Sequence, residues 1–224
     1  MFAQGNISPE RRVQQAHYTA RKCRRAGHVE AAEGIVREAK EVMHRQRTLE
    51  DLLIVVYAAV ADRDMADDTL DGGAQALRLG LGSRALDATT QAPYTLIFPK
   101  GIKYYTAASV RDQEERYREL RGRVERFLPE DDPLRAPALA TIDAGLAAWA
   151  EGTRGLSDAR REAALASAEL ETAEEALDTL LERVFGLLVQ AHGRRAARRF
   201  FPKADRALLK KAELEEDDEV LPTE

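Results

Sequence analysis

The chain has 224 residues, 44% of them apolar and 33% charged, and its 34 Lys+Arg against 39 Asp+Glu leave a net charge of −5. That balance excludes a disordered chain and a membrane protein, and the length supports a core without a disulfide or metal staple. Cys23 is the only cysteine, which rules out intramolecular disulfides and cysteine-rich zinc sites. No apolar run approaches the roughly 20 residues that span a bilayer, and no signal peptide opens the sequence, so a cytoplasmic protein is expected.

Most of the sequence reads as amphipathic helix. Ser8-Pro9 is a start signal: the serine hydroxyl accepts from orphan amides while proline takes the first helical position. Val13, Ala16, Ala20 and Cys23 then share one face, and Gly27 breaks or bends the segment. A second stripe of Ala32, Ile35, Ala39 and Val42 runs as far as Arg47. Thr48 with Asp51 resembles a capping box and predicts a fresh helix start. That helix carries Leu52, Val56, Ala59, Ala66, Leu70, Leu77 and Leu81. Gly72-Gly73 weaken it by roughly 1 kcal/mol each relative to alanine. One continuous helix or two joined near Asp62 both fit, with the second favoured.

Residues 88–102 differ from the rest. They hold two prolines, a terminal glycine and the extended-looking run Thr95-Leu96-Ile97-Phe98, followed by Tyr104 and Tyr105. This long central loop is the most aromatic stretch of the chain, and loops of that length are functional or packed on the domain.

Helix returns with Val110, Tyr117, Leu120, Val124 and Phe127, a seam of near seven-residue spacing as in a coiled coil. Prolines 129 and 133 end it. Asp132-Pro133 reads as the next cap and start, and Leu139, Ile142, Leu146 and Trp149 continue on one face. Gly152 and Gly155 predict a turn, after which a last long helix covers residues 157–199.

Phe98-Pro99-Lys100 recurs as Phe201-Pro202-Lys203, and at the same offset the break at Gly27 falls on the turn at Glu130. Two similar helical-hairpin halves, 8–102 and 103–203, fit this spacing. The expected fold is therefore all-α, a bundle of about four main helices, some kinked or split. It forms a single domain over 1–211, followed by an acidic disordered tail over 212–224.

Asp67-Asp68-Thr69-Leu70-Asp71 has the DDxxD spacing and resembles the aspartate-rich motif of isoprenoid synthases. That resemblance implies magnesium and a substrate diphosphate held by Asp67, Asp68 and Asp71, with oxygen ligands gathered on one helical turn. The chain is shorter than those enzymes and offers no matching second acidic motif. A solvated acidic flank made of Asp64, Asp67, Asp68 and Asp71 is the competing reading. Glu41-Val42-Met43-His44 is similar to the ExxH of carboxylate-bridged di-iron bundles, which require a second copy that is absent. His44 is then expected at a helix end. Ala20, Cys23, Gly27, Ala32, Val36 and Ala39 are similar to one tetratricopeptide unit, with no third repeat following.

Charge is unevenly spread. Residues 11–25 hold six bases and no acid, and residues 194–211 hold eight bases and one acid. Arg21, Arg24 and Arg25 with Arg195, Arg198 and Arg199 form candidate nucleic-acid patches, the second beside Phe200 and Phe201.

No complete catalytic constellation is present and no cofactor is implied. The leading reading is a non-enzymatic structural or protein-interaction module that binds a protein partner or assembles with itself. Its candidate contact surface is the central loop, with Tyr94, Leu96, Ile97, Phe98, Tyr104 and Tyr105. A magnesium-dependent helical enzyme acting on a phosphate or diphosphate through Asp67, Asp68 and Asp71 is the alternative. A nucleic-acid-associated protein is the third.

Overall fold

The structure, a computed structural model, describes residues 7–202. Among them are seven α-helices and no strand, so the fold is an all-α helical bundle. In order these are α1 Pro9–Arg25, α2 Val29–Gly82, α3 Tyr94–Ile97, α4 Lys103–Thr106, α5 Gln113–Phe127, α6 Arg135–His192 and α7 Arg194–Ala197. Single 3₁₀ turns lie at Ala88–Thr90 and Arg198–Phe200. The acidic stretch 212–224, the basic stretch 203–211 and Lys203 of the second Phe-Pro-Lys lie outside the described residues.

α1 starts as its sequence dictates, with the Ser8 hydroxyl accepting from the Arg11 amide and Pro9 in the first turn. It stops at Gly27, whose φ of 87° is open to a residue without Cβ, and the His28 amide closes the turn on the Cys23 carbonyl at 2.9 Å.

Several expected breaks do not occur. α2 is one helix of 54 residues. Thr48 does not cap a new start; its hydroxyl donates to the His44 carbonyl one turn back, inside the continuing helix. The split near Asp62 is absent, and a 34-residue tetratricopeptide unit does not form because the second helix never turns. His44, expected at a helix end, sits well inside α2. α6 likewise runs through Gly152 and Gly155 for 58 residues. Gly152 is a site of close approach: a Cβ there would lie 2.9 Å from the Arg63 Cα and 3.1 Å from its nitrogen. The run Thr95-Leu96-Ile97-Phe98, expected to be extended, is mostly the short helix α3.

The chain forms two compact units that differ from the sequence halves. Among the described residues the first combines 7–53 with 162–202, and the second is Ile54–Arg161. In the first unit Ala16, Ala20 and Cys23 of α1 meet Ile35, Ala39 and Val42 of α2, Leu177, Val184 and Leu188 of α6, and Phe201. In the second, Tyr117, Leu120 and Val124 of α5 meet Leu70, Leu77 and Leu81 of α2, Ile142 and Trp149 of α6, and Phe98 and Tyr105.

Within the second unit α2 and α6 run antiparallel in a seven-residue register. Gly73 faces Thr141 and Gly80 faces Leu134, while Gly145 faces Leu70 and Gly152 faces Arg63. Small residues let the two backbones approach. The ends of the long helices share a buried spacing: Ala66, Leu70, Ala74, Leu77 and Leu81 in α2, and Ala173, Leu177, Leu181, Val184 and Leu188 in α6. Each short helix is thus followed by a long one of like pattern and then by a buried phenylalanine before proline, Phe98 or Phe201.

Candidate functional site

The aspartates of the DDxxD string are drawn apart by α5. Asp71 accepts from the Tyr117 hydroxyl at 2.5 Å, and Asp67 accepts from the side-chain amide of Gln113. Both donors are buried, and both aspartates are half-buried, so the solvated outer flank holds for Asp64 and Asp68 only. Burial raises the pKa of Asp67, with the charges of Asp71 and Asp68 adding to it. Burial also raises that of Asp71, against the Tyr117 hydrogen bond. The Tyr117 hydroxyl is pushed far up by burial and by donating to a carboxylate. Among the described residues no group of three or more His, Cys, Asp or Glu side chains is arranged to hold a metal ion.

The central aromatic stretch is largely core, which corrects the expectation of an exposed loop. Ile97, Phe98 and Tyr105 are buried, Tyr94 and Tyr104 are half-buried, and only Leu96 is exposed. Aromatic rings interlock from Tyr94 through Phe98 and Tyr105 to Tyr117. The Tyr105 hydroxyl donates to the Ile97 carbonyl at 3.2 Å, and its pKa is pushed up to about 12 by burial. Tyr104 donates to Glu119 and lies under Lys100 and Arg116. A stretch this apolar cannot stay in water when a core is within reach.

In the first unit α1 packs against the Arg198–Phe200 turn, so the two basic sequence segments meet. Arg21, Arg24 and Arg25 are exposed and line one cleft of about 480 Å³ with His17. Arg195 and Arg199 are exposed, and Arg198 is half-buried. Beside them His28 and His192 share a hydrogen bond between Nε2 atoms at 2.7 Å, with Phe200 stacked on His192. Cys23 is fully buried and its thiol is pushed up to about 11 by desolvation, which leaves it a small core residue rather than a nucleophile. Glu41 of the ExxH is paired with Arg45, which also reaches Glu169.

A cluster of exposed apolar side chains lies on α2. Leu52-Leu53-Ile54-Val55-Val56-Tyr57-Ala58-Ala59-Val60-Ala61 is ten apolar residues without a polar one, inside a helix. Buried positions on α2 stop at Val42 and resume at Ala66; residues 43–65 include none. Ile54 is 67% exposed, Tyr57 75% and Met65 67%. A helix apolar all round needs cover all round. The signal was in the sequence, but reading a single stripe through Leu52, Val56 and Ala59 left Leu53, Ile54, Val55 and Tyr57 without a role.

No protein-family model, no curated protein and no solved structure matches the chain. No helix among the described residues is long and apolar enough to cross a membrane.

Proposed function

We propose that the chain is a non-enzymatic helical protein-interaction module of the cytoplasm, with the exposed apolar part of α2 as its docking face. The observation that carries this reading is the exposure of Ile54, Val55, Tyr57 and Met65 close together on one helix, between the segments of α2 that supply the two cores. Contiguous apolar surface of this kind marks protein contact sites. Covering a large apolar side chain is worth on the order of 1.5–3 kcal/mol, from which the cost of association is subtracted. Tyrosine and methionine suit such a face, one with a rigid amphipathic ring and the other with an adaptable thioether. The central aromatic segment supports that face indirectly, since its buried rings hold α2 in the second unit's core.

The test is a photo-crosslinking amino acid at Tyr57 in cells making the full chain, with Arg118, an exposed side chain of α5, as the control position. Adducts form at 57 and not at 118, and an added Ile54→Asp removes them while helicity by circular dichroism is unchanged. A chain that forms no adduct at 57 has no docking face there.

A further inference from the structure

We propose that the arginine cleft of the first unit is a carboxylate-binding site, filled by the chain's own acidic segment 212–224. The inference goes beyond the docking face on α2 and does not depend on it.

The cleft of about 480 Å³ lies between α1 and the start of α2. Its walls carry His17, Arg21, Arg24 and Arg25, all exposed, and its floor is Ala20, Ala32 and Val36. The dipole at the end of α1 favours bases in its last turn, but it asks nothing of Arg21 one turn earlier. The groove continues past Val36 between Arg24, Arg37, Lys40 and His44, with Glu33 and Glu41 the acids along it. Arg37 is paired with Glu38 and Glu41 with Arg45, which leaves Arg21, Arg24, Arg25 and Lys40 against Glu33. Glu30, in the first turn of α2, does not line the cleft. Guanidinium groups around an apolar floor suit a ligand with several carboxylates and some apolar surface.

Residues 212–224, outside the described residues, have that composition. They hold seven acids and no base, and Leu214 and Val220-Leu221 bracket the acids 215–219. The described chain ends beside the cleft. Phe201 is buried in the same core as Ala20 and Ala32, and the Phe200 ring lies 6.2 Å from that of His28, three residues after Arg25. The twelve residues from Phe201 to Glu213 span at most about 40 Å, against roughly 25 Å for the whole of α1. The acids therefore reach the cleft from their own chain. Tethering holds them there at millimolar effective concentration, so a free polyanion has to displace them. Lys203, Arg206, Lys210 and Lys211 precede the acids, and Arg195 and Arg199 are exposed. Ion pairs between sequence neighbours in water contribute little, and the cleft adds several guanidinium groups around an apolar floor.

The test places a photo-crosslinking amino acid at Val220 of the full chain and maps its adducts at low salt by mass spectrometry. Adducts form within one chain, to residues 17–36. Arg21→Glu, Arg24→Glu and Arg25→Glu together remove them while helicity by circular dichroism is unchanged, and adding Glu215→Lys, Glu216→Lys and Asp217→Lys restores them. A second measurement titrates a fluorescent polyglutamate peptide. It binds the parent roughly tenfold more weakly than a chain whose acids at 213 and 215–219 are changed to their amides, and that difference vanishes once the three arginines are replaced. Adducts only between chains, only to 203–211 or α7, or none at all overturn the segment as occupant, as does equal binding of the peptide to parent and amide variant. Adducts that survive the arginine replacements overturn the cleft as their seat, and a peptide that binds neither chain removes the carboxylate site.

Discussion

Tyr117 and Asp71 illustrate how a motif-like string can be used for packing. The hydroxyl is buried on α5 and the carboxylate is half-buried on α2, so each satisfies the other's polar atom inside the second unit. Tyr117→Phe removes that donor without changing the ring, and urea unfolding should show a loss of about 1–2 kcal/mol. Asp71→Asn should behave in the opposite sense. The amide oxygen still accepts from Tyr117, while the charge that burial opposes is gone. Because the folded pKa of Asp71 is raised, the folded state holds its proton more tightly than the unfolded chain does. The aspartate therefore costs no stability below its unfolded value near 3.8. The cost grows as pH rises through the raised folded value and is constant above it. The stability of Asp71→Asn relative to the parent should accordingly rise across that window and stay level at neutral pH. A parallel loss for both variants at pH 7 would show that the negative charge itself is stabilising there.

At the level of the element, glycines in α6 separate two roles that the sequence leaves entangled. Gly152 and Gly155 look alike as punctuation, yet a Cβ at 152 would press on the Arg63 backbone, whereas one at 155 meets nothing within 4 Å. Gly152→Ala should therefore cost about 1–3 kcal/mol through overpacking against backbone that cannot rotate away. Gly155→Ala should add about 1 kcal/mol of stability by restoring helix propensity. Thermal melts of the two variants moving in opposite directions would bear this out. The same contrast explains what was legible in the sequence. Ser8-Pro9 and Gly27 act through bonds within a few residues, so their effect is written locally and the ends of α1 fall where expected. Thr48, Gly152 and Gly155 take their meaning from the preceding turn or from a helix far away in the sequence. The aromatic stretch was recognisable as special, but only the cores show that Phe98 and Tyr105 face inward. Asp67 and Asp71 could not be told from Asp68 by spacing, because the choice belongs to Gln113 and Tyr117 on another element.

For the whole molecule, the repeated order of short helix, long helix and buried phenylalanine gives each unit its own core, and neither core has a fully buried residue on α2 between 43 and 65, where only Met43 and Leu49 pack against the first. A fold that carries 23 consecutive helical positions without a buried one, ten of them apolar in a row, leaves part of its stabilisation to be completed from outside. If a second copy supplies it, folding and association are linked, and the melting temperature depends on protein concentration. For a chain of this size each tenfold increase should raise Tm by roughly 2 °C, because the association term is shared over two chains' unfolding entropy. Ile54→Glu places a charge in the exposed apolar run and should flatten that dependence. At the lowest concentrations it should leave Tm near that of the parent, since Ile54 is already exposed in the single chain. A parent Tm that does not move with concentration would mean that the single chain tolerates the exposed run unaided. A large drop for Ile54→Glu at every concentration would instead place Ile54 in the chain's own folding core, against the exposure on which the docking face rests.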